Sequence, residues 1–244
     1  MEHSQTDIAA RISDRQMRLW NALHSAQRVV ETAATVNSRY KFMTLSRDDG
    51  SLGNEIALEL AARLGWHLFD KEIVNYIAEN NHVREDMVRQ LDERSQGLAH
   101  EAILRLLRMP EGRPFGSGEY HESLMKTFAT LATRGGAILV GRGANYALRW
   151  AEHGLHVRIA GSLEVRLRRV SQSWDVSPER ARPCLLSIDA DRRNFIRRHY
   201  GKDFDDLRYY DLLFNTDHLS VSQVVASIMW VMMPEMGLIE TRAS

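Results

Sequence analysis

Apolar positions fall into two regimes along the chain. Over residues 6–35, Ile8, Ile12, Leu19, Trp20 and Leu23 recur at helical spacing, with Arg and Gln between them, which predicts an amphipathic helix ahead of the main domain. From Tyr40 onward the apolar runs are too short for helices and are bounded by turn residues. They read as strands over 42–45, 66–69, 137–140, 155–160 and 212–215. Helical patterns lie between them: Ile56, Leu60 and Leu64 share one face of a helix that Gly65 stops, and 85–109 and 122–132 carry two more. Strands alternating with helices predict an α/β fold whose parallel sheet is covered on both faces and binds ligands outside the carboxyl ends of its strands. The stretch 110–118, rich in Pro and Gly, is a substrate lid or a surface connection.

Where the first strand passes into the first helix, residues 43–56 read Met-Thr-Leu-Ser-Arg-Asp-Asp-Gly-Ser-Leu-Gly-Asn-Glu-Ile. This looks like the strand, glycine turn and helix of a phosphate-binding loop, in which backbone N–H groups and a helix N-terminus face an anion. The usual lysine is missing. Gly53 stands where it would fall, and Glu55 stands where the usual Ser/Thr would fall. Taken alone, such a turn also serves as an ordinary connection.

Further polar sets fall just past strand ends: Asp70-Lys71-Glu72, Gly141-Arg142-Gly143 and Asn215-Thr216-Asp217. An Arg between two glycines combines close backbone approach with a bidentate fork for phosphate. Asp70 reads equally as the N-cap of a following helix. Arg166 and Arg169 share a helix face by their spacing, as do Asp189 and Arg192, so each pair either converges on a ligand or forms part of a solvated charged face.

In order and spacing these residues resemble the cytidylate-kinase-like proteins, a branch of the nucleoside monophosphate kinases, from Tyr40 to Val231. The resemblance rests on Ser46-Arg47, Gly50-Ser51, Gly53, Asp70-Lys71-Glu72, Val140-Gly141-Arg142-Gly143, Leu163-Glu164, Arg166, Arg169, Asp189, Arg192, Tyr210-Asp211-Leu212 and Asn215-Thr216. It implies a P-loop kinase fold over 39–244, with a five-stranded parallel sheet, a helical monophosphate-binding insertion at about 73–134 and an arginine-bearing lid. Residues 1–38 fall outside it as an amphipathic helical extension. It further implies ATP with Mg2+ as donor and a nucleoside monophosphate or similar small molecule, nominally cytidylate, as acceptor. Carried over residue by residue, Ser46, Gly50, Ser51, Gly53, Asn54 and Glu55 hold the donor phosphates. Asp70, Lys71 and Arg142 meet the acceptor, while Arg47, Arg166, Arg169, Asp189 and Arg192 act in transfer, Arg47 supplying part of the missing lysine's charge. The metal ligands stay open.

This chain departs from the family pattern at two places. Asp48 stands for a Glu, and Leu52 replaces a Gly whose position requires positive φ or close approach to phosphate. Asp48, Asp49 and Glu55 also place negative charge beside a site meant for polyphosphate. Three functions are therefore open: a small-molecule kinase, a nucleotide-binding regulatory module that transfers nothing, and an interaction protein working through its N-terminal helix. That helix packs on its own domain or mediates dimerisation.

Composition narrows the field. In 244 residues, 32 Lys and Arg balance 32 Asp and Glu, so no global charge points to nucleic acid or an anionic membrane. Cys184 is the single cysteine, the N-terminus has neither a basic start nor an apolar core, and no apolar run approaches a membrane span. A cytoplasmic location is the expectation.

Overall fold

The computed structural model describes residues 38–71, 74, 75, 78 and 119–233. The expected helices over 6–35 and 85–109, the segment 110–118 and Glu72 lie outside the described residues.

Five strands, β1 (Phe42–Arg47), β2 (His67–Phe69), β3 (Ala137–Val140), β4 (Gly154–Ala160) and β5 (Leu212–Asn215), form one sheet in the order β2-β3-β1-β4-β5. All neighbouring pairs are parallel. Six helices of the described residues surround it: α1 (Gly53–Leu64), α2 (Glu119–Arg134), α3 (Ala144–Ala147), α4 (Leu163–Trp174), α5 (Pro178–Tyr200) and α6 (Val221–Met232). None is long and apolar enough to cross a membrane.

The period-two alternation of each strand divides the core into two layers. Met43, Leu45, Ile138 and Val140 pack with Ile56, Leu60 and Leu64 of α1 and with Val224, Val225 and Ile228 of α6. Phe42, Ala137 and Leu139 face the other way, onto Leu124, Phe128 and Leu131 of α2 and onto Ile196 and Tyr200 of α5. Both faces of the sheet are thus buried, which is why its strands read as continuous apolar runs.

The expected strands 137–140 and 212–215 have the observed bounds. β1 runs two residues further than expected because Ser46 and Arg47, though polar, still pair with Arg158 and Ile159 of β4. The first helix starts at Gly53 rather than 56, since its opening residues carry no apolar signal. It ends as expected at Gly65, whose φ of 65° is left-handed and whose N–H donates to Ala61 O. The strand order reverses around β1, so the crevice outside its carboxyl end is where this architecture binds ligands.

The strand β4 buries His156, which is 1% exposed. Its Nδ1 lies 2.8 Å from Thr44 Oγ1 on the neighbouring strand, and its backbone N–H donates to Asp211 Oδ2 at 2.8 Å. Burial holds the imidazole near a pKa of about 4, below its ordinary value, with Asp211 opposing and Arg149 adding to the shift. The unfolded chain takes up a proton near pH 6.5 that the folded chain refuses, so the stability from neutral His156 is complete above that pH and is lost as pH falls toward 4. Urea unfolding at pH 7 and 5 is expected to show a loss of about 2 kcal/mol from this residue. His156→Gln keeps a partner for Thr44 and removes that part of the loss, leaving the contribution of His121, also lowered to about 4 by burial.

Candidate functional site

The glycine turn leaves β1 at Asp48 and enters α1 at Gly53. Gly50 has a φ of 75°, and a Cβ there would stand 2.7 Å from Val170 Cγ2 and 2.8 Å from Arg166 O, so the close approach of α4 requires glycine. Ser51 Oγ donates to Asp48 O at 2.8 Å and closes the turn. Thr216, just past β5, donates from Oγ1 to Ser51 O at 3.0 Å and ties the turn to the sheet edge. Leu52 is the N-cap of α1, with φ 63° and ψ 15°, and has no side-chain group to cap the helix. The N–H groups of Gly53, Asn54 and Glu55 precede the first intrahelical bond, from Ile56 N–H to Leu52 O, and therefore supply the positive end of α1.

Gly53 does more than permit a turn. A Cβ at this position would lie 2.5 Å from Arg47 Cβ and 2.8 Å from Arg47 Cγ. The stem of Arg47 thus covers the start of α1 at the position where the usual lysine would begin. Arg47 Nε donates to Asn54 Oδ1 at 3.1 Å, and its Nη1 reaches to 3.0 Å from the point a Gly141 Cβ would occupy. The guanidinium consequently stretches from the helix start to the turn after β3.

Arg47 is common to the walls of two cavities. One, of about 520 Å³, is bounded by the glycine turn and α4, including Gly50, Gly53, Asn54, Glu55 and Arg169. The other, of about 360 Å³, is bounded by Ser46, Lys71, Arg142, Arg192 and Phe195, with Asp191 as its one carboxylate among the described lining residues. Ser46, expected beside the donor phosphates, therefore lies on the second cavity, where its Oγ donates to Asn145 Oδ1 at 3.3 Å. Asp70 lies between β2 and Lys71, outside the described lining of either cavity, and its carbonyl accepts the Val74 N–H at 2.9 Å.

Arg142 is held from three sides. Its φ of 52° continues a left-handed run with Gly141 at 81° and Gly143 at 73°. A Cβ on Gly143 would overlap the ring of Tyr200, whose hydroxyl donates to Arg142 O at 2.7 Å. Arg142 Nε donates to Asn75 Oδ1 at 3.0 Å, and the guanidinium lies 4.8 Å from the centre of the Phe195 ring. These contacts fix a cation at the second cavity.

The acidic residues of the turn meet arginines. Asp48 pairs with buried Arg158 at 2.7 Å, and Asp49 pairs with Arg192 at 3.0 Å. Glu55 is exposed. Arg166 pairs with Asp189 at 2.9 Å, both almost fully buried, and also donates from Nη1 to Asp49 O at 3.2 Å. Arg169 donates to Thr216 O at 2.6 Å and to Gly50 O at 3.4 Å. The two helix-face pairs therefore split: Arg166 turns to Asp189 and Arg169 to Thr216, while Arg192 reaches Asp49. Arg166 and Asp189 lie behind the turn, outside the described lining of both cavities, and Arg169 and Arg192 line one each.

Sequence reasoning passed over Arg158, Asn75, Phe195, Tyr200 and Trp174. For Arg158 a signal was present: a charge in the middle of the otherwise apolar run of β4, where it now stacks 4.3 Å from the centre of the Phe204 ring. The other four carry no periodic mark, because their roles arise only when α4, α5 and the segment carrying Asn75 reach the sheet edge.

A parallel sheet in this order, with a glycine turn between β1 and α1 and arginines gathered at the strand ends, defines the P-loop kinase fold. Residues 42–218 match the cytidylate kinase-like family, and the chain belongs to it. No curated protein matches the chain. Among solved structures, an uncharacterized protein from Eubacterium ventriosum ATCC 27560 is similar over 77% of this chain and 95% of its own, at 17% identity and a TM-score of 0.58, and shares the fold. Shikimate kinases from Acinetobacter baumannii and Bacteroides thetaiotaomicron align more loosely. They are 14% and 12% identical, with TM-scores of 0.40 and 0.43, covering 84% and 78% of this chain and 96% and 97% of their own.

The left-handed Leu52 generates a stability prediction. An L-residue with a β-carbon costs about 1–2 kcal/mol in that region, and removing the strain offsets the apolar burial lost by truncation. Leu52→Gly is expected to change unfolding free energy by less than about 1 kcal/mol, whereas truncating fully buried Leu60 to Ala costs about 2–5 kcal/mol. Chemical denaturation of the two variants measures the contrast.

Proposed function

We propose that this protein transfers the γ-phosphoryl group of ATP, bound with Mg2+, to a nucleoside monophosphate or similar small acceptor, nominally cytidylate. The observation that carries this reading is Arg47, a cation in the wall common to two cavities, one built on the glycine turn and the other on Arg142 and Lys71. The first cavity takes the donor and the second the acceptor.

Each residue then has a physical task. The N–H groups of Gly53, Asn54 and Glu55 face donor oxygens, and Arg169 holds the glycine turn in shape from its Gly50 carbonyl. Arg142 and Lys71 bind the acceptor's anionic group, with Arg142 oriented by Asn75 and Phe195. Arg47 and Arg192 neutralise charge on the group in flight, the principal requirement of phosphoryl transfer, which is achieved by positioning and electrostatics rather than covalent chemistry. Arg166 and Asp189 are positioning residues that hold α4 and α5 against the turn.

The donor and its metal fit this site in a particular way. Arg158 and Arg192 neutralise Asp48 and Asp49, so the turn repels a polyphosphate less than its sequence suggests. Among the described residues no group of three or more His, Cys, Asp or Glu side chains is arranged for a metal. Mg2+ would therefore be held mainly by donor phosphates and water, with one or two carboxylates such as Glu55, in keeping with its preference for retained waters. When bound, it would screen the charge that otherwise opposes attack.

A second reading, a nucleotide-binding module without transfer, is favoured by Leu52, whose β-carbon narrows the turn at a position suited to glycine. An ATP-consumption screen over monophosphates with Mg2+, run beside calorimetric nucleotide binding, separates the two. The kinase reading expects turnover with at least one monophosphate. It also expects Arg47→Ala to reduce that turnover by roughly two orders of magnitude or more, with the melting temperature retained. Nucleotide binding with no conversion across the screen replaces it with the binding-module reading.

A further inference from the structure

The donor-side cavity is chemically divided. Near the turn it is lined by backbone at Gly50 and Gly53, by Arg47 and Arg169, and by Asp48 and Asp49, whose charges Arg158 and Arg192 offset, with exposed Glu55 beside them, while Leu58 and Trp174 give it apolar wall. A nucleoside triphosphate has the same division, an anionic chain joined through a sugar to a flat apolar base. We propose that Trp174 is the platform on which the donor's base stacks, an assignment that rests on the first cavity being the donor site.

The placement follows from α4. Val170 touches the point where a Gly50 Cβ would project, and Trp174 is four residues further along the same helix face. Four residues of α-helix advance about 6 Å, so Trp174 joins the same cavity about one helical turn along α4 from the residue that meets the glycine turn. The helix stops there because Asp175 takes a left-handed φ of 56°, with its N–H donating to Ser171 O, which fixes the corner between α4 and α5. Part of the indole packs on the small cluster of Leu167, Val170, Ala181 and Leu185, and the half-buried ring contributes its remaining surface to the cavity wall. A ring anchored in this way loses little freedom when a base lies on it.

Packing in the α4–α5 corner alone would explain a Trp at this position without any ligand. The two roles differ in what they do to the base. A stacking platform acts on nucleotides and not on bare polyphosphate, and it tolerates different bases because each offers a π-face. A packing residue affects both ligands equally, through the fold.

Calorimetric titration of the full-length protein with ATP, GTP and inorganic tripolyphosphate, each with Mg2+, separates them when combined with melting temperatures. Trp174→Leu keeps an apolar side chain in the corner and removes the aromatic face. It is expected to weaken ATP and GTP about tenfold or more and to leave tripolyphosphate within about twofold, while Trp174→Phe retains nucleotide affinity within about threefold. If Trp174→Leu melts normally and binds ATP as the unchanged protein does, the platform assignment is overturned and the donor reading stands. Equal weakening of ATP and tripolyphosphate also overturns it. Should the unchanged protein bind neither, the donor reading and the platform fall together.

Discussion

The contact between Arg47 and Gly53 organises the site. A helix start without a side chain leaves room for the stem of Arg47, and the space is tight enough that one added carbon at Gly53 would collide with it. In the proposed function this places the cation of a phosphate-binding loop on the last residue of the preceding strand rather than on the helix. From there it reaches the turn after β3 as well as the start of α1. A lysine at position 53 would begin at the glycine-turn cavity alone, whereas Arg47 also forms part of the second cavity. Gly141 contributes to the same geometry by leaving room for the guanidinium.

The second layer of the site is an arginine scaffold that holds the turn. Arg166 and Arg169 each donate to a turn carbonyl, at Asp49 and Gly50 respectively, and Arg192 pairs with the Asp49 carboxylate. Isolated surface ion pairs contribute little to stability, but Asp48–Arg158 and Arg166–Asp189 are buried, and removing one partner would strand the other. The arginines around the turn are therefore of two kinds. Arg158 cancels the acidity of Asp48 and Arg166 holds the loop through the Asp49 carbonyl, while Arg47, Arg142, Arg169 and Arg192 line the cavities, Arg192 also offsetting Asp49.

Much of the fold was legible because the sheet is parallel and covered on both faces, so 137–140 and 212–215 stand out as unbroken apolar runs. The polar end of β1 was not, since Ser46 and Arg47 pair as strand residues without apolar side chains. The order of the site residues was legible from their spacing and their resemblance to a family, including the left-handed demand at Leu52, which its φ of 63° expresses. Partner choice was not. Helical periodicity groups Arg166 with Arg169 and Asp189 with Arg192, but the approach of α4 to α5 and to the turn selects other partners. Trp174 was silent because nothing local distinguishes a Trp that lines a cavity from one that fills a core.

The relocation of the loop's cation is tested most directly by moving it back. Calorimetry of ATP with Mg2+ on Arg47→Ala, on Gly53→Lys and on the double variant, each at a retained melting temperature, measures whether one cation can replace the other. The account predicts that either single substitution weakens binding, the first by removing the charge and the second by colliding with the Arg47 stem. The double variant should recover at least tenfold over Arg47→Ala. A double variant that binds no better than Arg47→Ala would contradict the claim that Arg47 occupies the lysine's place.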